Sequence, residues 1–311
     1  MSNYRAGDVI RMTRTACGIS QEELSFGICS VQTLHRIENG KTRVKKKLYY
    51  RLMEKMERVP EKSYAVCVGK DMELLEERTA LEDALNKMEY DKAAELIKII
   101  RDKADDNLIT EQYVRKAEAL IAYDCKTIDA KMLIERLEET IGLTVPNYKD
   151  CLGKKYPFTA QELFCLQNIA NACHRQDKYK EAIKLYEKVL ECLDMEYIFG
   201  GNTEHLRIIT IRSLSRTYGS MKDYKKANEL SKIALEMALE ENEGIVAEEI
   251  LTDMVWNVLR QIECREREEG DKTIAKKILR QAYFIAFGRG DERISKICEN
   301  VYKSEFKERI K

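Results

Sequence analysis

The chain has 311 residues, with 54 basic and 54 acidic side chains, so its formal charge is zero and its length suffices for two or more domains. Only 3 residues are Pro and 14 are Gly while 35% are charged, a balance that favours long amphipathic helices and excludes an all-β fold. No apolar run approaches the ~18 residues of a membrane span and the N-terminus lacks an apolar leader, so a cytoplasmic chain is expected.

The ten cysteines, at 17, 29, 67, 125, 151, 165, 173, 192, 264 and 298, include no CxxC pair and read as reduced, small core hydrophobes. His35, His174 and His205 are too scattered for a metal cluster. Gly-rich phosphate loops, nucleophile elbows and acid-rich cation loops are absent, so no enzyme, cofactor or metal is expected. Charge is distributed unevenly: residues 1–58 carry twelve Lys/Arg against six Asp/Glu, and the remainder carries the balancing excess of acid. The basic segment is suited to a polyanion. Pro60 disfavours helix at Val59, and residues 59–70 lack helical periodicity, which predicts a linker there.

Within residues 1–58, Val9, Ile10 and Met12 share a first short helix with Arg5, Arg11 and Arg14, stopped by Cys17-Gly18. Ser20 and Glu23 have capping-box spacing and open a second helix, whose Leu24 and Phe26 are expected to face inward. After a turn through Gly27 to Cys29, Ser30 caps a third helix, Val31 to Glu38, ended by Asn39-Gly40. Three such helices predict a helix-turn-helix. Gly18-Ile19-Ser20-Gln21-Glu22-Glu23-Leu24, followed by Thr33-Leu34-His35-Arg36-Ile37-Glu38-Asn39-Gly40-Lys41, resembles the Cro/C1 or XRE-type family of phage repressors and their bacterial relatives over about residues 5–58, with Ile28 where many members have Gly.

Leu34 and Ile37 should pack on Leu24 and Ile10, leaving Gln32 and Arg36 on a shared outer face that fits a major groove. Residues of the first turn approach base edges in this motif, which assigns Val31 to a thymine methyl, Gln32 to an adenine and Arg36 to a guanine. Ser20 and Gln21 are expected to meet phosphate, as the resemblance also implies, and Ser30, Thr33 and Asn39 complete the DNA-facing set. Lys41, Arg43, Lys45, Lys46 and Lys47 read either as a solvated loop or, beside a recognition helix, as a phosphate clamp. The family resemblance implies that Arg14 and Glu38 form a buried ion pair with a structural role.

From residue 71 a phrase recurs. Tyr90-x-x-Ala93-x-x-Leu96 repeats as Tyr179-x-x-Ala182-x-x-Leu185 and Tyr224-x-x-Ala227-x-x-Leu230, with weaker copies at Thr127 and Lys272, which predicts five helical hairpins with Ala at each crossing. The stretch Thr144 to Phe158, with Pro146 and Pro157, reads as a loop, and Trp256 as core rather than ligand cage. Leu166 to Cys173 with Asp177 to Ala182, then Leu214 to Tyr218 with Asp223 to Ala227, resemble tetratricopeptide repeats. The fold implied is all-α: a small helix-turn-helix domain at 1–58, then a right-handed α-solenoid of tetratricopeptide-like hairpins at 71–311 for ligand binding and dimerisation.

In such repeats the first helix of each pair lines the concave face, which by carry-over assigns Phe164, Gln167, Asn171, His174, Arg175, Arg212, Arg216, Asn257 and Arg260 to a peptide groove. For any one of them a solvated helical face is the alternative. The two-part chain resembles the RRNPP peptide-pheromone-sensing regulators, implying a dimeric regulator that binds double-stranded DNA and a short peptide. A protein-docking scaffold, or a repressor whose repeats only dimerise, are the other readings.

Overall fold

The computed structural model describes residues 6–42, 44–56, 74–103, 108–153, 156, 158–194, 203–241, 243–264 and 271–310. The expected linker at 59–70 and Arg43 lie outside the described residues, as do the side chains of Val9, Met12 and Lys46. Every regular element among the described residues is a helix. They form two compact units: α1 to α10 with the end of α11, and the rest of α11 with α12 to α16.

The first unit opens with α1 (Ala6–Ala16), α2 (Gln21–Ser25) and α3 (Val31–Glu38). Their boundaries follow from local chemistry. Ser20 Oγ accepts the Glu23 N–H at 3.0 Å and Glu23 Oε2 accepts the Ser20 N–H at 2.8 Å, closing the expected capping box. Ser30 Oγ accepts the Thr33 N–H at 3.0 Å. Gly27, at φ 74°, supplies the left-handed residue of the turn, which leaves the next position open to Ile28, half-buried against the core. Ile10, Leu24, Leu34 and Ile37 pack together as expected. Phe26 does not: it is 81% exposed, because the chain leaves the helix at this residue and its ring swings outward beneath the Lys55 ammonium, 5.6 Å away.

A fourth helix, α4 (Lys46–Lys55), contributes Tyr49, Leu52 and Met53 to the same core, followed by Met56. The basic run is therefore not simply a loop, since Lys47 lies on the first turn of α4. Arg51 donates to the Gly27 carbonyl at 2.8 Å and Lys55 to that of Phe26 at 2.7 Å, so α4 pins the turn between α2 and α3.

The same unit continues with α5 (Leu75–Asn86), α6 (Tyr90–Lys103), α7 (Leu108–Asp124), α8 (Ala130–Gly142), α9 (Tyr148–Cys151) and α10 (Ala160–Arg175). Helix α5 pairs with α6 and α7 with α8. Ala93 is fully buried at its crossing. In the Thr127 copy the helix starts only at Ala130, because Asp129 caps it by accepting the Met132 N–H at 2.8 Å. The expected loop at 144–158 contains the single turn α9 and buries Val145, Tyr148 and Phe158. Gln112 donates to Thr144 at 2.6 Å, Thr144 to Glu162 at 2.5 Å, and Glu162 completes a capping box with Thr159.

The second unit contains most of α11 (Tyr179–Leu193), then α12 (Thr203–Ser220), α13 (Tyr224–Glu240), α14 (Gly244–Glu263), α15 (Lys272–Arg289) and α16 (Glu292–Phe306). Successive helices from α12 onward pack on one another, with Ala227 and Ala275 fully buried at crossings. Helices of 17 to 20 residues from α13 to α15 account for a repeat spacing above the usual 34. Gly219 lets α12 approach α14 closely, since a Cβ there would fall 2.7 Å from Asn257 Oδ1.

Candidate nucleic-acid interface and peptide groove

Helix α3 separates its residues by period. Leu34 and Ile37 are buried at 0% and 1% exposure, whereas Gln32 and Arg36 are exposed one turn apart, with Val31 42% exposed at the first turn. This outward face joins an amide and a guanidinium, the two groups that read adenine and guanine bidentately. Thr33 Oγ1 lies 2.7 Å from Ser30 Oγ, and Asn39 donates through Nδ2 to the His35 carbonyl at 2.8 Å, so these three polar side chains also finish the ends of α3. Lys41 and Lys45 are exposed beyond it.

Arg14 and Glu38 hold this geometry. Nε and Nη2 of Arg14 meet the two carboxylate oxygens at 2.7 and 2.9 Å, while Nη1 donates to the Ile19 carbonyl at 2.9 Å. The Glu38 hydrogen bond raises the Arg14 pKa above its ordinary value, against burial. Gln21 Nε2 donates to Glu38 Oε2 at 2.5 Å, which fixes the side chain against the buried carboxylate while one amide N–H and the backbone N–H at the start of α2 are left for other acceptors. Ser20 remains exposed.

The expected groove residues divide between the two units. On α10, Phe164, Asn171 and His174 are half-buried and Arg175 is exposed, its guanidinium 4.8 Å from the Tyr123 ring centroid. Gln167 is 3% exposed and belongs to the packed side of the helix. In the second unit Asn257 is 2% exposed and packs against Gly219. Arg212 is not a waiting cation, because Nε meets Asp253 at 2.8 Å and Nη1 binds Glu249. Burial opposes its charge, but the two carboxylates raise its pKa. Arg216 is 52% exposed with Asp253 at 3.7 Å, and Arg260 pairs with Glu263 at 2.5 Å and lies 5.5 Å from the Trp256 ring. Trp256, expected in the core, is 43% exposed, because its neighbour Asn257 takes the inward position at Gly219.

Among the described residues no group of three His, Cys, Asp or Glu is placed to hold a metal, and no helix is long and apolar enough to cross a membrane.

Residues 10–61 match the helix-turn-helix family and residues 162–240 the tetratricopeptide repeat family. No curated protein sequence matches the chain. Among solved structures, Bacillus thuringiensis PlcR in complex with the peptide PapR7 and DNA is similar at a TM-score of 0.60 and 19% identity, covering 95% of this chain and 99% of that one. The apo form of the same protein matches at 0.58 and 16%, over 95% and 98%. ComR from S. thermophilus, in complex with DNA and its signalling peptide ComS, matches at 0.53 and 12%, over 96% and 99%. The chain thus combines an XRE-type helix-turn-helix with tetratricopeptide-like helical repeats in the fold shared by PlcR and ComR.

Proposed function

We propose that this chain is a cytoplasmic, homodimeric, sequence-specific transcription regulator, with a DNA-binding head at residues 1–58, a linker at 59–70 and a repeat domain at 71–311 that senses a short peptide. The observation that carries it is the outward Gln32 and Arg36 pair on a capped helix held by Arg14 and Glu38, in a chain whose fold is that of regulators solved with DNA and peptide. Val31, Gln32 and Arg36 read bases, while Ser20, Lys41, Arg43, Lys45 and Lys46 contact phosphates. Phe164, Asn171, His174 and Arg175 on α10, and separately Arg216 and Arg260 in the second unit, are the candidate peptide contacts. Titrating operator DNA with the full chain, with and without short synthetic peptides, tests this. A peptide that shifts operator affinity by roughly 5- to 150-fold supports the switch.

The engagement of Arg212 by two carboxylates and the burial of Gln167 and Asn257 favour a second reading, in which the repeats dock a partner protein or only dimerise. Operator affinity indifferent to every peptide, in a chain that still binds its operator, supports that one.

A further inference from the structure

Glu248 lies near the start of α14, is fully buried, and has no hydrogen-bond donor at either carboxyl oxygen. A charge so placed lacks both water and a partner, which favours the protonated form. Its neighbours come from several helices. Asp291, the N-cap of α16, faces it and is itself engaged by the Ile294 N–H at 3.0 Å. Arg289, at the end of α15, lies against Gly244 in the first turn of α14. Glu249, beside it, is tied to Arg212 of α12 and, at 2.9 Å, to Arg293 of α16. The Cys298 thiol of α16 sits near Glu248 and Thr252, and His205 of α12 meets Glu243, just before α14, at 2.5 Å. A carboxyl oxygen of Asp291 can accept a hydrogen bond from the O–H of a protonated Glu248.

We propose that a protonated Glu248, sharing its proton with Asp291, latches α16 onto α14, and that loss of that proton to solvent loosens the last helix. Burial first, and Asp291 second, push the Glu248 carboxyl up to about 7, with Arg289 acting in the opposite sense. The sign follows from linkage. Below the ordinary value of 4.5 the proton is held whether α16 is docked or open, so docking is at full strength. Between there and about 7 only the docked state keeps the proton, and docking weakens by about tenfold per pH unit before levelling off.

Amide hydrogen exchange on the full chain between pH 5.5 and 8.5, corrected for intrinsic chemical rates, tests the latch. The expected result is an opening constant for residues 294–306 that rises by about tenfold per pH unit toward 7 and then flattens. Glu248→Gln should remove that rise, and Asp291→Asn, which keeps a capping side chain, should move the plateau to lower pH. A pH-independent opening in the wild type, or the same rise in Glu248→Gln, overturns the proposal. Should Glu248→Gln lose the packing of α14 on α16, Asp291→Asn decides, and an unmoved plateau overturns it.

Discussion

Arg36 and Lys41 are exposed cations five residues apart, and their positions give them different work. Arg36 projects from the face of α3 beside Gln32, so Arg36→Ala should cost roughly 1–3 kcal/mol at one base pair and leave other sequences little changed. Lys41 lies past the end of the helix, so Lys41→Ala should weaken all DNA alike and reduce the salt dependence by about one counterion. Competition binding against single-base operator variants, repeated over a salt series, separates the two. Arg14 and Glu38 give a contrasting case. Glu38 is 1% exposed and takes three hydrogen bonds, from Arg14 twice and Gln21 once, so Arg14→Ala leaves a buried carboxylate undercompensated and should destabilise the α1 to α4 core by roughly 3–5 kcal/mol. DNA binding would then fail through unfolding, which circular dichroism melts distinguish from a lost contact. The Ser20 and Glu23 box and the pair at Arg14 and Glu38 were legible because short-range spacing or motif position determines them. The hydrogen bond from Gln21 to Glu38 was not, since it depends on where α3 places a carboxylate 17 residues away.

At the scale of helices, closeness of approach is set by residues without side chains. A Cβ on Gly7 would fall 1.9 Å from the Ile37 carbonyl oxygen, so α1 meets α3 only with glycine at that position. Gly7→Ala should therefore cost at least 1–3 kcal/mol by forcing the two backbones apart, more than Gly153→Ala, where nothing lies within 4 Å. Urea unfolding of both variants makes the comparison. The recurring Tyr-x-x-Ala-x-x-Leu phrase located the helix starts at Tyr90, Tyr179, Tyr224 and Lys272, because Ala at a crossing is a packing requirement that sequence records directly. Helix α4 was also written in the sequence, in the spacing of Tyr49, Leu52, Met53 and Met56, but the cations at 41–47 masked it. Trp256 and Phe26 resisted reading for a different reason. Their hydrophobicity argues for burial, and only the position of a neighbour, Asn257 in one case and the end of α2 in the other, turns them outward.

For the whole molecule, a single short recognition helix contacts few bases, so useful specificity calls for two heads on a two-fold operator with half-sites about one helical turn or a multiple apart. Light scattering on the full chain should give twice the 36.2 kDa chain mass at micromolar concentration, and a monomer with and without DNA would argue against the dimer. Peptide can alter operator binding only by its differential affinity for two arrangements of the protein, and operator must then change peptide affinity by the same factor. Calorimetry of peptide binding with and without operator checks that equality. The central claim, that α3 reads DNA sequence, is tested most directly by selecting bound DNA from a random library with the wild-type chain and with a folded Gln32→Ala, Arg36→Ala double variant. The account predicts a two-fold symmetric motif for the wild type, with two positions in each half-site losing their preference in the variant. No enriched motif, or the same motif enriched equally by both proteins, would contradict it.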